Sequence, residues 1–138
     1  MLMTNDEYRL RPIRIIRSTL PEPADAPKQG DQGAPDAWID IDPTFAAALR
    51  GVAAGDQLVV VTWLHRADRS VLEVHPRDNP SNPLTGVLAT RSQDRPNPLG
   101  LHRVTVREVT GTRLRVGPIE AIDGTPVVDI KVALPRRD

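Results

Sequence analysis

Cysteine is absent from this sequence of 138 residues, and long hydrophobic runs are absent as well. Without cysteine the chain can form neither disulfide bonds nor thiolate metal sites, which fits a reducing compartment. No apolar run approaches the ~20 residues that a membrane-spanning helix needs. The first residues, Met-Leu-Met-Thr-Asn-Asp-Glu, lack the features of a secretory signal. We therefore expect a cytoplasmic protein with no membrane partner.

Net charge is also absent, because 18 basic side chains balance 18 acidic ones. No long basic stretch occurs, so the composition does not indicate a large nucleic-acid footprint. Lysine is scarce: only Lys28 and Lys131 occur, and all other basic residues are arginines. Planar guanidinium groups suit the recognition of anions, although a compositional bias of the source genome is the favoured explanation.

The common nucleotide-binding and zinc-binding motifs are missing too. The chain has no Gly-x-Gly-x-x-Gly and no Gly-Lys-Ser/Thr loop, and strand patterns do not alternate with helix patterns. His65, His75 and His102 do not have the spacing of zinc ligands. These absences argue against a doubly wound α/β fold and predict no metal site.

Short apolar segments predict seven to nine β-strands. They cover residues 9–17, 37–41, 58–64, 71–75, 87–89, 102–109 and 113–116, together with the segments that flank the Asp-Gly turn at 123–124. The continuous, largely β-branched run from Leu58 to Leu64 predicts a central strand that is buried on both faces. Thr110-Gly111-Thr112 predicts the turn of a β-hairpin.

One short helix is predicted between two of these strands. Asp42 is a good N-cap, proline follows it at the first helical position, and Gly51 ends the segment. Phe45, Ala48 and Leu49 would form the buried face. Many short strands, one helix and long loops predict an all-β fold, a closed antiparallel β-barrel that occupies residues 1–138 as a single domain. Residues 1–8 and 133–138 are expected to be loosely ordered.

The sequence from Gly86 to Leu101 predicts a stiff polar loop. Its apolar residues 87–89 are typical of the end of a strand, and Pro96 and Pro98 then restrict the backbone. The loop carries two guanidinium groups and an amide, and stiffness limits the entropy that such groups lose when they bind a ligand. A solvated proline-rich turn is the alternative for this segment taken alone.

This loop, read over Thr90–Leu101, resembles the signature of the TsaA-like family, also called TrmO-like or YaeB-like. Four other segments match in the same order: Pro12–Ser18, Pro27–Gly30, Trp63–His65 and Ile122–Lys131. The resemblance implies a β-barrel S-adenosylmethionine-dependent methyltransferase that works as a homodimer with its pocket near the subunit boundary. It also implies a substrate, the exocyclic nitrogen of threonylcarbamoyladenosine beside the anticodon of tRNA.

The same resemblance implies which residues contact S-adenosylmethionine. The matching positions are Pro27, Lys28, Gln29, His65, Arg66, Arg91, Leu101, Ile122, Asp123, Gly124 and Thr125. Arg91 and Asp123 could hold the two charges of the zwitterionic methionine end. Leu101 and Ile122 suit an apolar slot for adenine.

The acyl-substituted nitrogen is a poor nucleophile, so a group that removes its proton is needed. The candidates are Asp123, Asp129 and His65, which the sequence does not rank; a histidine at a strand end is more often structural. Arg95 and Asn97, with Lys131, are the candidates for contacts to the substrate.

Three departures from the family pattern bear on the substrate. Lys28 stands where the family has arginine, Gln93 replaces a proline, and the ending after Lys131 differs. With zero net charge, these changes weaken tRNA as the substrate more than they weaken the cofactor. The alternatives are methylation of a small molecule and a non-catalytic S-adenosylmethionine-binding module.

Overall fold

The computed structural model describes residues 7–20 and 33–135, and this part of the chain is built mainly from β-strands. The strands are β1 (Arg14–Arg17), β2 (Ala37–Ile41), β3 (Gln57–Trp63), β4 (Glu73–Val74), β5 (Thr85–Gly86), β6 (Leu99–Thr110), β7 (Arg113–Gly117) and β8 (Pro126–Val132). Three 3-10 helices cover Pro43–Leu49, Pro76–Asp78 and Val87–Ala89. None of the helices in the described ranges is long and apolar enough to cross a membrane.

Six of the strands form a closed antiparallel barrel in the order β1-β2-β7-β6-β3-β8, and β4 pairs with β5 in a separate two-stranded sheet. The predicted fold class is therefore confirmed. β3 lies between β6 and β8, as its continuous apolar run predicted. Its pairing with β8 shifts between Val61 and Thr62, where a β-bulge interrupts the ladder.

The core fills the barrel with aliphatic side chains that alternate along each strand. Ile39 of β2 stands opposite Leu114 of β7, and both side chains are fully buried. Ile119 and Ala121, which follow β7, belong to the same buried cluster. The segment between β7 and β8 therefore closes the interior of the barrel at one end.

The strand directions place three connections at that same end of the barrel. β1, β3 and β7 finish there, whereas β2, β6 and β8 begin there. The described parts of the β1–β2 connection (residues 18–20 and 33–36), the β3–β6 connection (64–98) and the β7–β8 connection (118–125) consequently share what we call the site end. The opposite end carries the β2–β3 connection and the short β6–β7 turn.

Two details of the predicted secondary structure are wrong at residues that looked buried. The apolar segment Val87–Ala89 is a 3-10 helix and not the end of a strand. Only Val87 reaches the interior, and Leu88 is 84% exposed. The helix after Asp42 begins as predicted but is a 3-10 helix, with Phe45 and Leu49 against the core. Ala48 is exposed and does not contribute to this buried face.

Strand boundaries also differ from the sequence patterns. β1 begins only at Arg14. The segment Ile119–Ile122, which directly precedes the turn at 123–124, is irregular chain and not a strand. β6 is longer than predicted and starts at Leu99, directly after the buried Pro98. Proline restricts the residue before it to extended geometry, which suits the entry into this strand.

Candidate functional site

Most of the predicted contacts belong to connections that lie at the site end of the barrel. The β3–β6 connection supplies His65, Arg66, Arg91, Arg95 and Asn97. The β7–β8 connection supplies Ile122, Asp123, Gly124 and Thr125. Pro27, Lys28 and Gln29 lie outside the described residues. The strand order thus gives residues that are far apart in the sequence a common end of the barrel.

The turn Ile122–Thr125 is fixed tightly against the end of β1. The amide of Gly124 donates to the carbonyl of Ile16 at 2.7 Å, and Gly124 has φ of 82°, which favours glycine. The Thr125 hydroxyl donates to the Ile122 carbonyl at 2.7 Å, and both of these residues are buried. Thr125 therefore shapes the turn, and its hydroxyl, its amide and its carbonyl are all engaged within the chain.

Asp123 presents a carboxylate at the tip of this turn. Its Oδ1 accepts from the amide of Ser18 at 3.0 Å, and its Oδ2 lies 3.9 Å from Nη1 of Arg17. The side chain is 43% exposed. One carboxylate oxygen consequently remains accessible to a cation, and the neighbouring main-chain bonds hold it in place.

The Pro96–Pro98 bend, which the prolines predicted to be stiff, is held by residues that follow β3. The amide of Leu64 donates to the Pro98 carbonyl at 2.8 Å. Arg69 donates through Nε to the Pro96 carbonyl at 2.7 Å and through Nη2 to Oδ1 of Asn97 at 3.1 Å. The amide oxygen of Asn97, a predicted substrate contact, is therefore already engaged within the chain.

The two arginines of this loop have different surroundings. Arg95 donates through Nη1 to the carbonyls of Thr90 and Ser92, both at 3.1 Å, and is half-buried. Arg91 is exposed and makes no hydrogen bond or ion pair with the residues described in 7–20 and 33–135. Arg95 stabilises the loop, whereas Arg91 is available to an anion.

His65 and Arg66 follow β3 at the site end. Partial burial of the imidazole, and secondarily the positive charge of Arg66, lower the pKa of His65 below its ordinary value of 6.5. The ring is therefore neutral at neutral pH. A neutral imidazole can accept a proton.

The remaining predicted residues lie on the outer wall of the barrel. Val61 of β3 stands between Leu101 of β6 and Asp129 of β8. Asp129 pairs with Lys131, whose Nζ lies 3.2 Å from Oδ2, and its Oδ1 accepts from the amide of Ile130. Leu101, Asp129 and Lys131 are thus on strands, apart from the connections that carry the other predicted contacts.

A groove lies beside Asp123 on the side of β1 and β2. It is open, measures about 400 Å³, and is lined by Arg17, Ser18, Thr19, Asp36, Ala37, Trp38 and Arg115. The Ser18 amide that bonds Asp123 forms part of this lining. The Pro96–Pro98 bend does not line it.

Sequence reasoning missed a buried polar cluster beneath the site end. Thr62 of β3, His102 of β6 and Glu120 of the β7–β8 connection are joined by hydrogen bonds of 2.7 Å and 2.6 Å. The sequence contains the information needed to find it. His102 is two residues from Val104 and four from Val106 on β6, so the alternation of this strand predicts that all three side chains point into the barrel.

Comparison with known proteins identifies relatives for nearly the whole chain. A family model described as the tRNA-methyltransferase O N-terminal domain matches residues 15–138. A probable S-adenosyl-L-methionine-binding protein of Pyrococcus horikoshii is 45% identical over 105 residues, which are 73% of this chain and 75% of that protein. Another from Methanothermobacter thermautotrophicus is 40% identical over 129 residues, 94% of this chain and 92% of that one.

Solved structures of TrmO proteins are similar to this chain over most of its length. A crystal structure of TrmO from Pseudomonas aeruginosa has a TM-score of 0.74 and 30% identity, and the match covers 94% of this chain and 57% of that one. A second TrmO crystal structure has a TM-score of 0.76 and 30% identity, with 96% and 60% covered. The chain therefore spans less than two thirds of the length of these TrmO structures.

Proposed function

Because this chain belongs to the family of the tRNA-methyltransferase O N-terminal domain, we propose that it is an S-adenosylmethionine-dependent N-methyltransferase. The proposed acceptor is the exocyclic nitrogen of threonylcarbamoyladenosine in tRNA. Its cofactor is S-adenosylmethionine, the ligand for which the curated relatives are named. The observation that carries the proposal is that four of the five matching segments, which are those within the described residues, reach the same end of a closed barrel.

The methionine end of the cofactor carries one positive and one negative charge, and two side chains suit it. Arg91 is exposed and unpaired within the described residues, so its guanidinium can hold the carboxylate. Asp123 keeps one accessible oxygen for the ammonium group. Both come from stiffened turns, which reduces the entropy that binding costs.

The adenine end needs apolar surface, and the outer wall supplies it at Leu101. This side chain is 47% exposed and lies beside the half-buried Val61. Because the wall is separate from the connections, Leu101 would complete the pocket of a second copy in the proposed homodimer. The main chain at Ile122 would contribute polar contacts from the other copy.

S-adenosylmethionine supplies a methyl group that is already activated, so the protein mainly has to orient the acceptor, exclude water and remove a proton. Of the three candidate bases, His65 is favoured because its ring is neutral and lies at the site end. Asp123 is held by the Ser18 amide and faces Arg17. Asp129 is paired with Lys131 on the outer wall.

Replacement of Arg91 tests the cofactor site directly. We expect Arg91→Ala to weaken S-adenosylmethionine binding by about 1.5–3 kcal/mol, the contribution of a hydrogen bond to a charged group, measured by calorimetry. Arg50→Ala is the matched control, because Arg50 is also exposed and lies at the opposite end of the barrel. Equal affinity in the two variants would remove Arg91 from the site.

A second candidate function keeps the cofactor but transfers the methyl group to a small molecule. It is favoured by the pairing of surface arginines, since Arg113 and Arg115 bond Asp40 and Asp36 instead of standing free for phosphates. Labelled S-adenosylmethionine should be incubated with tRNA that carries or lacks the threonylcarbamoyl group. Transfer only to modified tRNA supports the first function, and transfer only to a metabolite extract supports the second. Binding without any transfer would indicate a non-catalytic binding module.

A further inference from the structure

A buried polar cluster crosses from the barrel wall to the β7–β8 connection. Nε2 of His102 lies 2.7 Å from Oγ1 of Thr62, and Nδ1 lies 2.6 Å from Oε1 of Glu120. Thr62 and His102 are 0% and 4% exposed, and the Glu120 side chain is 16% exposed. Because a carboxylate oxygen accepts hydrogen bonds, the Nδ1–H of His102 donates to Glu120, and this bond to a charged group is a strong one.

The cluster is packed without space to spare. A Cβ atom added at Gly100 would lie 2.5 Å from Oγ1 of Thr62 and 2.8 Å from Nε2 of His102. No buried side-chain nitrogen or oxygen in the described ranges lacks a hydrogen-bond partner. The imidazole therefore occupies a fixed position, and its two nitrogens serve two different elements.

Each of those two elements leads into residues of the proposed site. Thr62 precedes His65 by three residues on β3, and Glu120 precedes Ile122 by two residues in the β7–β8 connection. The far flank of this connection is held by main-chain bonds to the β1 side, at Gly124 and Asp123. On the near flank, the Glu120 side chain bonds His102 of β6.

We propose that His102 is a positioning residue for the cofactor-binding turn. By holding Glu120, its imidazole sets the position of Ile122–Thr125 relative to His65 at the end of β3. This role rests on the proposed function, since it takes the turn to be the one that binds S-adenosylmethionine. A turn that is fixed before binding stays in its competent arrangement, whereas a released turn reduces the apparent affinity in proportion to the fraction of molecules that remain in that arrangement.

Two substitutions at His102 separate the two bonds. His102→Asn places an amide N–H near the position of Nδ1 and keeps the donor to Glu120. His102→Gln places its amide near Nε2, which keeps the contact with Thr62 and leaves Glu120 without its donor. We expect S-adenosylmethionine affinity to fall about tenfold in the Gln variant and less than threefold in the Asn variant, because only one of them releases the turn.

Binding is measured by calorimetry. The conditions are chosen so that urea titration shows each variant to be folded, because a lower stability then has no effect of its own on the measured Kd. The triple variant Thr62→Val, His102→Leu and Glu120→Leu replaces all three buried partners by apolar groups and should remain stable. We nevertheless expect it to bind about tenfold more weakly, because the turn has lost its anchor. If all folded variants bind with the affinity of the original chain, or if Asn and Gln variants bind equally, the positioning role is wrong.

Hydrogen exchange tests the position of the turn without any ligand. The amides of Asp123 and Gly124 should exchange about tenfold faster in the His102→Gln variant and at nearly the original rate in the His102→Asn variant. Equal exchange in both variants would contradict the proposal. If the original chain does not bind S-adenosylmethionine, the proposed function fails, and the exchange rates still decide whether His102 holds the turn.

Discussion

At the scale of single residues, arginines with the same charge have different tasks around the site end. Arg69 stacks on Trp63 at 5.0 Å and donates to the Pro96–Pro98 bend. Arg95 holds the loop that precedes the bend. Arg91 alone among these three makes no bond to the described residues. The residue type therefore predicted a cation-rich loop, but only the contacts separate the arginines that build it from the one that can bind.

The pKa of His65 provides a prediction at this scale. Partial burial and then Arg66 lower this pKa, so Arg66→Ala should move it part of the way back toward 6.5. The measurement is an NMR titration of the His65 ring, which is assigned by its loss in His65→Gln. Arg50→Ala is the control and should leave the titration unchanged.

The sign of the effect on stability follows from the lowered pKa. The unfolded chain binds a proton at His65 more readily than the folded chain does, so this residue makes the folded state less stable as pH falls below about 6.5. His65→Gln should therefore reduce the decline of stability between neutral pH and mildly acidic pH in urea titrations. A steeper decline in this variant would contradict the lowered pKa.

At the scale of secondary-structure elements, the sequence patterns predicted strands better than they predicted boundaries. β3 was identified because a continuous β-branched run has few alternatives. Val87–Ala89 looked the same over three residues, yet it forms a 3-10 helix whose Leu88 is exposed. Three residues are too few for periodicity to separate the two structures, and the hydrogen bond from the Val87 amide to Leu72 depends on the fold.

The 3-10 helix Pro43–Leu49 yields a prediction about its first turn. Oδ1 of Asp42 accepts from the amide and the hydroxyl of Thr44, and these bonds lower the pKa of Asp42. Its stabilising effect is thus present at neutral pH and is lost as pH falls through the lowered pKa, below 3.8. We expect Asp42→Ala to lower the midpoint of urea unfolding at pH 7, whereas Asp42→Asn, which keeps an acceptor, should lower it less.

The comparison should be repeated at decreasing pH, because the difference between the variants and the original chain should shrink as the pH falls below 3.8 and through the lowered pKa. A difference between Asp42→Ala and the original chain that does not change with pH would show that the cap does not act through the carboxylate. Thr44→Val offers a second check, because it removes the hydroxyl donor but keeps the amide bond.

At the scale of the whole molecule, the site depends on topology more than on any local pattern. His65 and Asp123 could not be placed at the same end of the barrel from sequence patterns alone, because that placement requires the strand order β8-β3 and the antiparallel directions. The family resemblance supplied the residues, and the closed barrel supplies the reason that they share one end. It also shows why Leu101 differs from the rest: its parity on β6 directs it outward.

The outer wall gives a prediction about assembly. Leu99 and Leu101 are 44% and 47% exposed, next to the half-buried Val61 and Trp63. If this wall meets a second copy, Leu101→Glu should abolish the homodimer, because a carboxylate is costly to bury in an apolar contact. Light scattering after gel filtration should then give the mass of one chain, 15.2 kDa, instead of twice that mass.

Leu88→Glu is the matched control for this test. Leu88 is 84% exposed and lies in the β3–β6 connection, away from the outer wall. It should leave the mass unchanged. A single-chain mass for the original protein, or a dimer that survives Leu101→Glu, would contradict an interface at this wall.

The division between barrel and connections also has a consequence for divergence within the family. The ladder that closes the six strands does not depend on the length of the β3–β6 connection, which leaves from β3 and returns to β6 at the same end. Insertions and replacements there can alter which acceptor is admitted while the strand register is conserved. We therefore expect changes in acceptor specificity to arise in residues 64–98 before they arise in the strands of the barrel.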